Sequence, residues 1–162
     1  MSGTRGHGST LSPGQGQAER AAAPQVGTIG VMEFDREELT AFYRRYIERC
    51  NAHRFEELGE FVAADVRVKR LRRRAGRVRR GLRAVVEAFP DYHWDLRRLL
   101  ADGSWLSAHL SNTGTHAGTF REVPATGRTI ATMELALYRT EGGKIVGSWG
   151  DLGATVRDHL IA

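Results

Sequence analysis

From Asp35 onward the apolar residues recur at helical spacing. Leu39, Phe42, Tyr43, Tyr46, Ile47 and Cys50 stand at i, i+3, i+4, i+7, i+8 and i+11, which predicts an amphipathic helix with one buried stripe. Asp35, with Glu38 three residues on, forms a capping-box pattern at its start. Phe55, Leu58, Phe61 and Val62 predict a second, shorter helix, and a strand is expected over about 65–71. A third helix follows in which Leu82, Val85, Val86 and Phe89 share a face, and Pro90 stops it. The period then changes to two. Tyr92, Trp94 and Leu96 alternate with His93, Asp95 and Arg97; Ala101-Asp102-Gly103 turns the chain, and 105–115 returns as a strand. A connection over 116–127 leads to a strand near 129–140, a turn at Glu141-Gly142-Gly143 and a last strand over 144–149. A closing helix runs through Val156 and Leu160, with Asp151 as its candidate cap. Helices first and antiparallel strands afterwards predict an α+β fold with the helices on one face of a curved sheet.

The chain has 162 residues, enough for one domain with a hydrophobic core and too few for two ordinary ones. Residues 1–32, with seven glycines in the first thirty positions and little to bury, are expected to be a disordered tail to a single domain over 33–162. No apolar run approaches the roughly 18 residues of a membrane helix, so no membrane partner is expected. No apolar segment follows the early Arg5, so no secretory leader is read and a cytoplasmic location is the expectation. The single cysteine, Cys50, excludes an internal disulfide; on a helix stripe it reads as a small buried residue.

A formal charge of +5 and a pI near 10.0 point at first to nucleic acid. The distribution changes that picture. Ten of the 24 basic residues lie in 67–83 with no acid among them, which leaves the rest of the chain with 14 bases against 19 acids. Three uses compete for this run: a solvated loop, an anion site recruiting an acidic partner or phosphorylated substrate, and an arginine-rich RNA contact. No Phe, Tyr or Trp lies between Asp65 and Ala88, so a stacking platform for bases is missing. The solvated loop is therefore the first reading, anion recruitment the second and nucleic acid the third.

Phe89-Pro90-Asp91, the segment from Gly114-Thr115-His116 to Phe120, Pro124-Ala125-Thr126-Gly127-Arg128, Tyr138-Arg139, and Gly143-Lys144-Ile145 followed by Trp149 resemble the motif series of the SnoaL-like polyketide cyclases, or ester cyclases, of the nuclear-transport-factor-2-like superfamily. The resemblance covers about residues 35–160. It implies a cone-shaped α+β barrel, about three N-terminal helices packed on a strongly curved, mostly antiparallel sheet, with an apolar pocket between them. It also implies a homodimer packed sheet to sheet and a cofactor-independent aldol-type ring closure on a polyketide-like small molecule. One tuned acid/base in a dry cavity suffices for such chemistry, because flanking carbonyls already activate the substrate proton.

The same resemblance directs attention to three catalytic candidates. In the family an Asp just after the last strand is the acid/base; here the segment Ser148-Trp149-Gly150-Asp151-Leu152 is about two residues shorter, and Asp151 is either that acid or the cap of the terminal helix. Glu134 matches one of a polar pair on the preceding strand, Ala136 the other. Alternation separates Met133, Leu135 and Leu137 from Thr132, Glu134, Ala136 and Tyr138; if the second face is concave, Glu134 is a buried carboxylate, and if not, a solvated strand residue. His116 matches a histidine at a strand end, able to shuttle a proton or to hold the adjoining loop; the structural role is preferred. His93 and His109 are weaker candidates, and His53 and His159 read as surface residues. Among the aromatics, Tyr43, Tyr46, Trp94, Tyr138 and above all Trp149 are the expected pocket lining, able to stack on a flat substrate. No H-E-x-x-H spacing and no glycine-rich phosphate loop occur, so neither metal nor nucleotide is expected. Two other functions stay open. One is an epoxide hydrolase of the same fold, which would need an Asp-Arg-Asp type constellation; the other is a non-catalytic small-molecule-binding accessory protein.

Overall fold

The computed structural model describes residues 34–68, 71–150 and 152–162, with backbone alone at 71 and 72. The expectations for 1–32 and for Asp151 lie outside the described residues. Helix α1, Arg36–Asn51, begins at the expected capping box: Asp35 Oδ1 accepts from the amides of Glu37 and Glu38, and the Asp35 amide donates to Glu38 Oε2. Its buried stripe is the expected set from Leu39 to Cys50. The second helix is shorter than expected, a 3₁₀ helix at Phe55–Glu60, because Val62 already pairs in the sheet. Strand β1 is Val62–Val68, β2 is Leu71–Arg74, and helix α2 is Ala75–Ala88, ending at the buried Phe89 before Pro90.

This placement corrects the reading of the arginine run. Its described residues form no loop. Arg73 and Arg74 lie on β2, the short edge strand of the sheet, where charge opposes pairing with another chain. Arg77, Arg79, Arg80 and Arg83 lie on α2, between Val78, Leu82 and Val85, which recur at i, i+4 and i+7 and give that helix an inward apolar face.

Strands β3, His93–Asp102; β4, Trp105–Thr115; β5, Thr129–Glu141; and β6, Lys144–Trp149, follow where the alternation placed them, and α3, Leu152–Ile161, closes the chain. The six strands form one open sheet in the order β2-β1-β6-β5-β4-β3, antiparallel except for the β1–β6 pair. The β5–β6 turn is made by Gly142 and Gly143 at φ of 56° and 73°, where a side chain would be strained. Even-numbered residues of β4 and β5 face the helices: Leu106, Ala108, Leu110 and Asn112 against Ile130, Thr132, Ala136 and Tyr138 are all buried. Odd-numbered ones face outward and leave Trp105, Met133, Leu135 and Leu137 exposed. The core is one cluster between the concave face and the helices.

Two irregularities change face parity along strands. On β3 the partners pass from Leu96↔Leu110 to Arg98↔His109, leaving Arg97 extra. On β6 they pass from Thr140↔Ile145 to Arg139↔Gly147, leaving Val146 extra. Ile145 therefore points to the core, whereas Trp149, opposite Leu137, points outward.

Candidate active site

Register settles the face of Glu134. It sits between Thr132 and Ala136 on the concave side of β5, opposite Leu110 of β4. Its carboxyl group closes one wall of a chamber of about 40 Å³. The other walls are Tyr43, Tyr46, Ile47 and Cys50 from α1, Leu82 from α2, Trp94 and Leu110 from the sheet, Tyr138 from β5 and Leu152 from α3. Four of the five aromatics expected in the pocket, Tyr43, Tyr46, Trp94 and Tyr138, are thus brought around one carboxylate. Tyr43 and Tyr138 pack as tilted rings with centroids 5.1 Å apart, and Tyr43 and Tyr46 likewise at 5.6 Å.

The electrostatics follow from this enclosure. Burial holds the Glu134 carboxyl above the usual carboxylate range, partly offset by Asn112, whose Nδ2 donates to Oε2 at 3.0 Å. Burial likewise raises Tyr43, Tyr46 and Tyr138, with the Glu134 charge adding to it. These phenols stay protonated and can donate. The Cys50 thiol is pushed up to about 12 by burial, so it is an inert wall residue rather than a nucleophile. Gly150 passes beside the carboxyl, and a Cβ there would lie 3.5 Å from Glu134 Oε1.

Behind Glu134 lies a polar layer that sequence reasoning missed. Asn112 is fully buried, and its Oδ1, Thr132 Oγ1 and the Tyr92 hydroxyl have no direct hydrogen-bond partner. Asn112 and Thr132 face each other across β4 and β5. The available signal was Asn112 itself, an amide on a strand face otherwise made of Leu106, Ala108 and Leu110. Leu82 and Leu152 were also missed as wall residues, since only the packing of α2 and α3 reveals them.

Trp149 is a correction. The extra residue Val146 turns it to the convex face, where its ring packs at 5.5 Å on Trp105 and over Gly147, away from Glu134. His116 is fully buried at the end of β4 and does not join Glu134 in the chamber. Its Nδ1 accepts from the Thr126 amide at 3.3 Å, its ring stacks on Phe89 at 4.9 Å, and its backbone pairs with Gly127 and Arg128. Desolvation lowers its pKa, which favours the neutral ring that this acceptor role needs. His109 faces outward opposite Leu135, and His53, His93 and His159 are exposed. Among the described residues no three His, Cys, Asp or Glu side chains converge as a metal site, and no helix is long and apolar enough to cross a membrane.

The sequence profile of the SnoaL-like polyketide cyclases matches residues 40–152. A search of curated proteins found no match. Among solved structures, a SnoaL-like polyketide cyclase from Agrobacterium tumefaciens is 27% identical, with a TM-score of 0.66 over 75% of this chain and 97% of that one. TsrD from Streptomyces laurentii is 20% identical, with a TM-score of 0.70 over 79% of this chain and 98% of that one. IdmH from Streptomyces antibioticus is 22% identical, with a TM-score of 0.65 over 76% and 98%. The profile match over most of the chain, on an open six-stranded cone whose helices enclose a small aromatic chamber, makes this protein a member of the SnoaL-like polyketide cyclase family, within the nuclear-transport-factor-2-like superfamily.

Proposed function

We propose that the protein is a cofactor-independent cyclase or isomerase of polyketide or related natural-product biosynthesis, with Glu134 as its acid/base. The observation that carries this reading is one carboxyl group, raised by burial, held by Asn112 and set in a wall of aromatic rings. In an aldol-type closure the carboxylate takes a proton from a carbon flanked by carbonyls. The freed electron pair forms the new carbon–carbon bond to a second carbonyl carbon, and that carbonyl's oxygen receives the proton back from Glu134. A Tyr43 or Tyr138 hydroxyl is placed to hydrogen-bond the oxygen on which charge develops. The described chamber walls include no arginine, so the Asp-Arg-Asp arrangement of the epoxide-hydrolase reading finds no support there.

The test is Glu134→Gln, which keeps shape and removes the base. Metabolites from a strain carrying this variant are compared with those of its parent and of a gene-deletion strain, and turnover of the accumulated precursor is measured with purified protein. A loss of about 10²-fold or more is expected. Full activity in the variant would overturn the reading and leave a binding protein.

We also infer that a second copy covers the convex face. Leu100, Trp105, Met133, Leu135 and Leu137 are between 41% and 72% exposed and lie on neighbouring strands, an apolar patch that one soluble chain rarely leaves bare.

A further inference from the structure

A chamber of 40 Å³ is smaller than a single aromatic ring needs, so a small molecule acted on by Glu134 must extend through one of its walls. Two wall residues have a second exposure. Leu82 and Leu152 also line a groove of about 350 Å³ on the other side, between α2, the 116–127 connection and the start of α3. The two leucines are thus a partition between chamber and groove, and moving their side chains joins the two spaces.

The groove has a defined chemistry. Val78, Leu82, Val85, Phe120 and Leu152 give it an apolar floor, and Arg121 is its cation. Arg121 is held there in three ways. Its own φ of 45° and that of Glu122 at 69° are left-handed without glycine. Its guanidinium lies 5.7 Å over the Phe120 ring. Gly153 leaves it room, since a Cβ at that position would meet its Nη2. No described ion pair involves Arg121, and although Glu87 lines the same groove it is not paired with it. Arg77 and Arg80 on α2, and Arg74 at the end of β2 just before it, are exposed with no described ion pair, so the field over this helix is positive.

We propose that this groove is the outer half of the substrate site and takes a carboxylate-bearing end of an otherwise apolar molecule, with Arg121 as the specificity-determining contact. The reacting end passes between Leu82 and Leu152 to Glu134. The proposal rests on the reading of the chamber as the site of chemistry. The arginines of α2 then act as a field that draws anions to the partition.

The test uses two matched fluorescent probes, 9-anthracenecarboxylate and neutral 9-anthracenemethanol, titrated against the full chain at low salt. The carboxylate is expected to bind about tenfold more tightly, the size of one charge-assisted hydrogen bond. Arg121→Gln should abolish that preference without weakening the neutral probe, and Arg121→Lys should retain part of it. Leu82→Trp, which fills the partition, should weaken both probes. Arg121→Gly, which relieves the left-handed backbone, should lose the preference while its melting temperature is not lowered, as a merely structural arginine would not allow. A preference that survives Arg121→Gln, no preference in the native protein, or affinities untouched by Leu82→Trp would overturn the proposal. Glu134→Gln should leave the probe preference intact. An inactive Glu134→Gln enzyme with no carboxylate preference would sink this inference and spare the acid/base reading; a preference with undiminished turnover in Glu134→Gln would do the reverse.

Discussion

Asn112→Leu offers the sharpest test of how the carboxyl group is held. Asn112 is fully buried and donates to Glu134 Oε2 at 3.0 Å, and leucine keeps its branched shape, at a larger volume, while removing the donor. A hydrogen bond to an ionised acceptor is worth about 1.5–3 kcal/mol and one to a neutral acceptor about 0.5–1.5 kcal/mol, so the donor favours the carboxylate over the acid by about 1 kcal/mol. Burial already places the folded pKa of Glu134 above its unfolded value. Stability from this group therefore falls as pH rises from the ordinary carboxylate range through the folded pKa. Without Asn112 that pKa rises further and the fall deepens. The cost of the substitution should consequently be about 1 kcal/mol larger at pH 8 than at pH 4, whatever its size at either pH. Urea unfolding at the two pH values measures the difference; with a slope of about 2 kcal/mol per molar, it is an extra midpoint shift of roughly 0.5 M. In a Glu134→Gln background the pH dependence of the cost should vanish. A cost equal at both pH values in the native background would show that Asn112 does not serve the carboxylate.

Two other substitutions test the frame around the site. Asp91→Ala removes bonds to the Thr115 amide at 2.7 Å and to its hydroxyl at 2.8 Å, which tie the end of β4 to the α2–β3 connection. A loss of about 1–2 kcal/mol is expected near neutral pH. These same bonds to Thr115 depress the Asp91 pKa, so the loss should be present above the ordinary carboxylate range and shrink as pH falls through the folded pKa, which a pH series of thermal melts would follow. Leu135→Glu places a charge in the middle of the convex apolar face, where the side chain is 67% exposed in one copy. Light scattering on a sizing column should show the proposed dimer dissociating about a hundredfold more readily in this variant than in the native protein, with the fold intact by circular dichroism; a native protein that is monomeric at high concentration would refute the proposed partner.

Much of this architecture was legible because local signals agreed with the tertiary solution. Asp35 and Glu38 marked the start of α1, Gly142 and Gly143 marked the last hairpin, and strict alternation from 129 onward separated Glu134 from Leu135 before any fold was known. What alternation left open was which face was inside, and the register of β5 between β4 and β6 decided that. Trp149 was misplaced for a definite reason: one unpaired residue, Val146, inverts the parity of everything after it, and period-two reasoning has no means of seeing a bulge. The arginine run was misread because charge dominated the composition while Val78, Leu82 and Val85 carried the helical period beneath it. The pairing of Leu82 with Leu152 joins residues seventy positions apart, and no local pattern contains it.

The bulge at Val146 has a consequence for how the interior is kept open. With plain alternation from Ile145, Trp149 would stand opposite Ala136 on the concave face, the face that carries Glu134. The bulge, by leaving Val146 unpaired, keeps that bulk on the outside of the sheet, against Trp105. The face on which this indole lies is therefore set by the pairing of β6 rather than by a choice of small side chains. Pairing Val146 opposite Arg139 would carry Trp149 opposite Ala136, on the concave face, without altering any residue that lines the chamber.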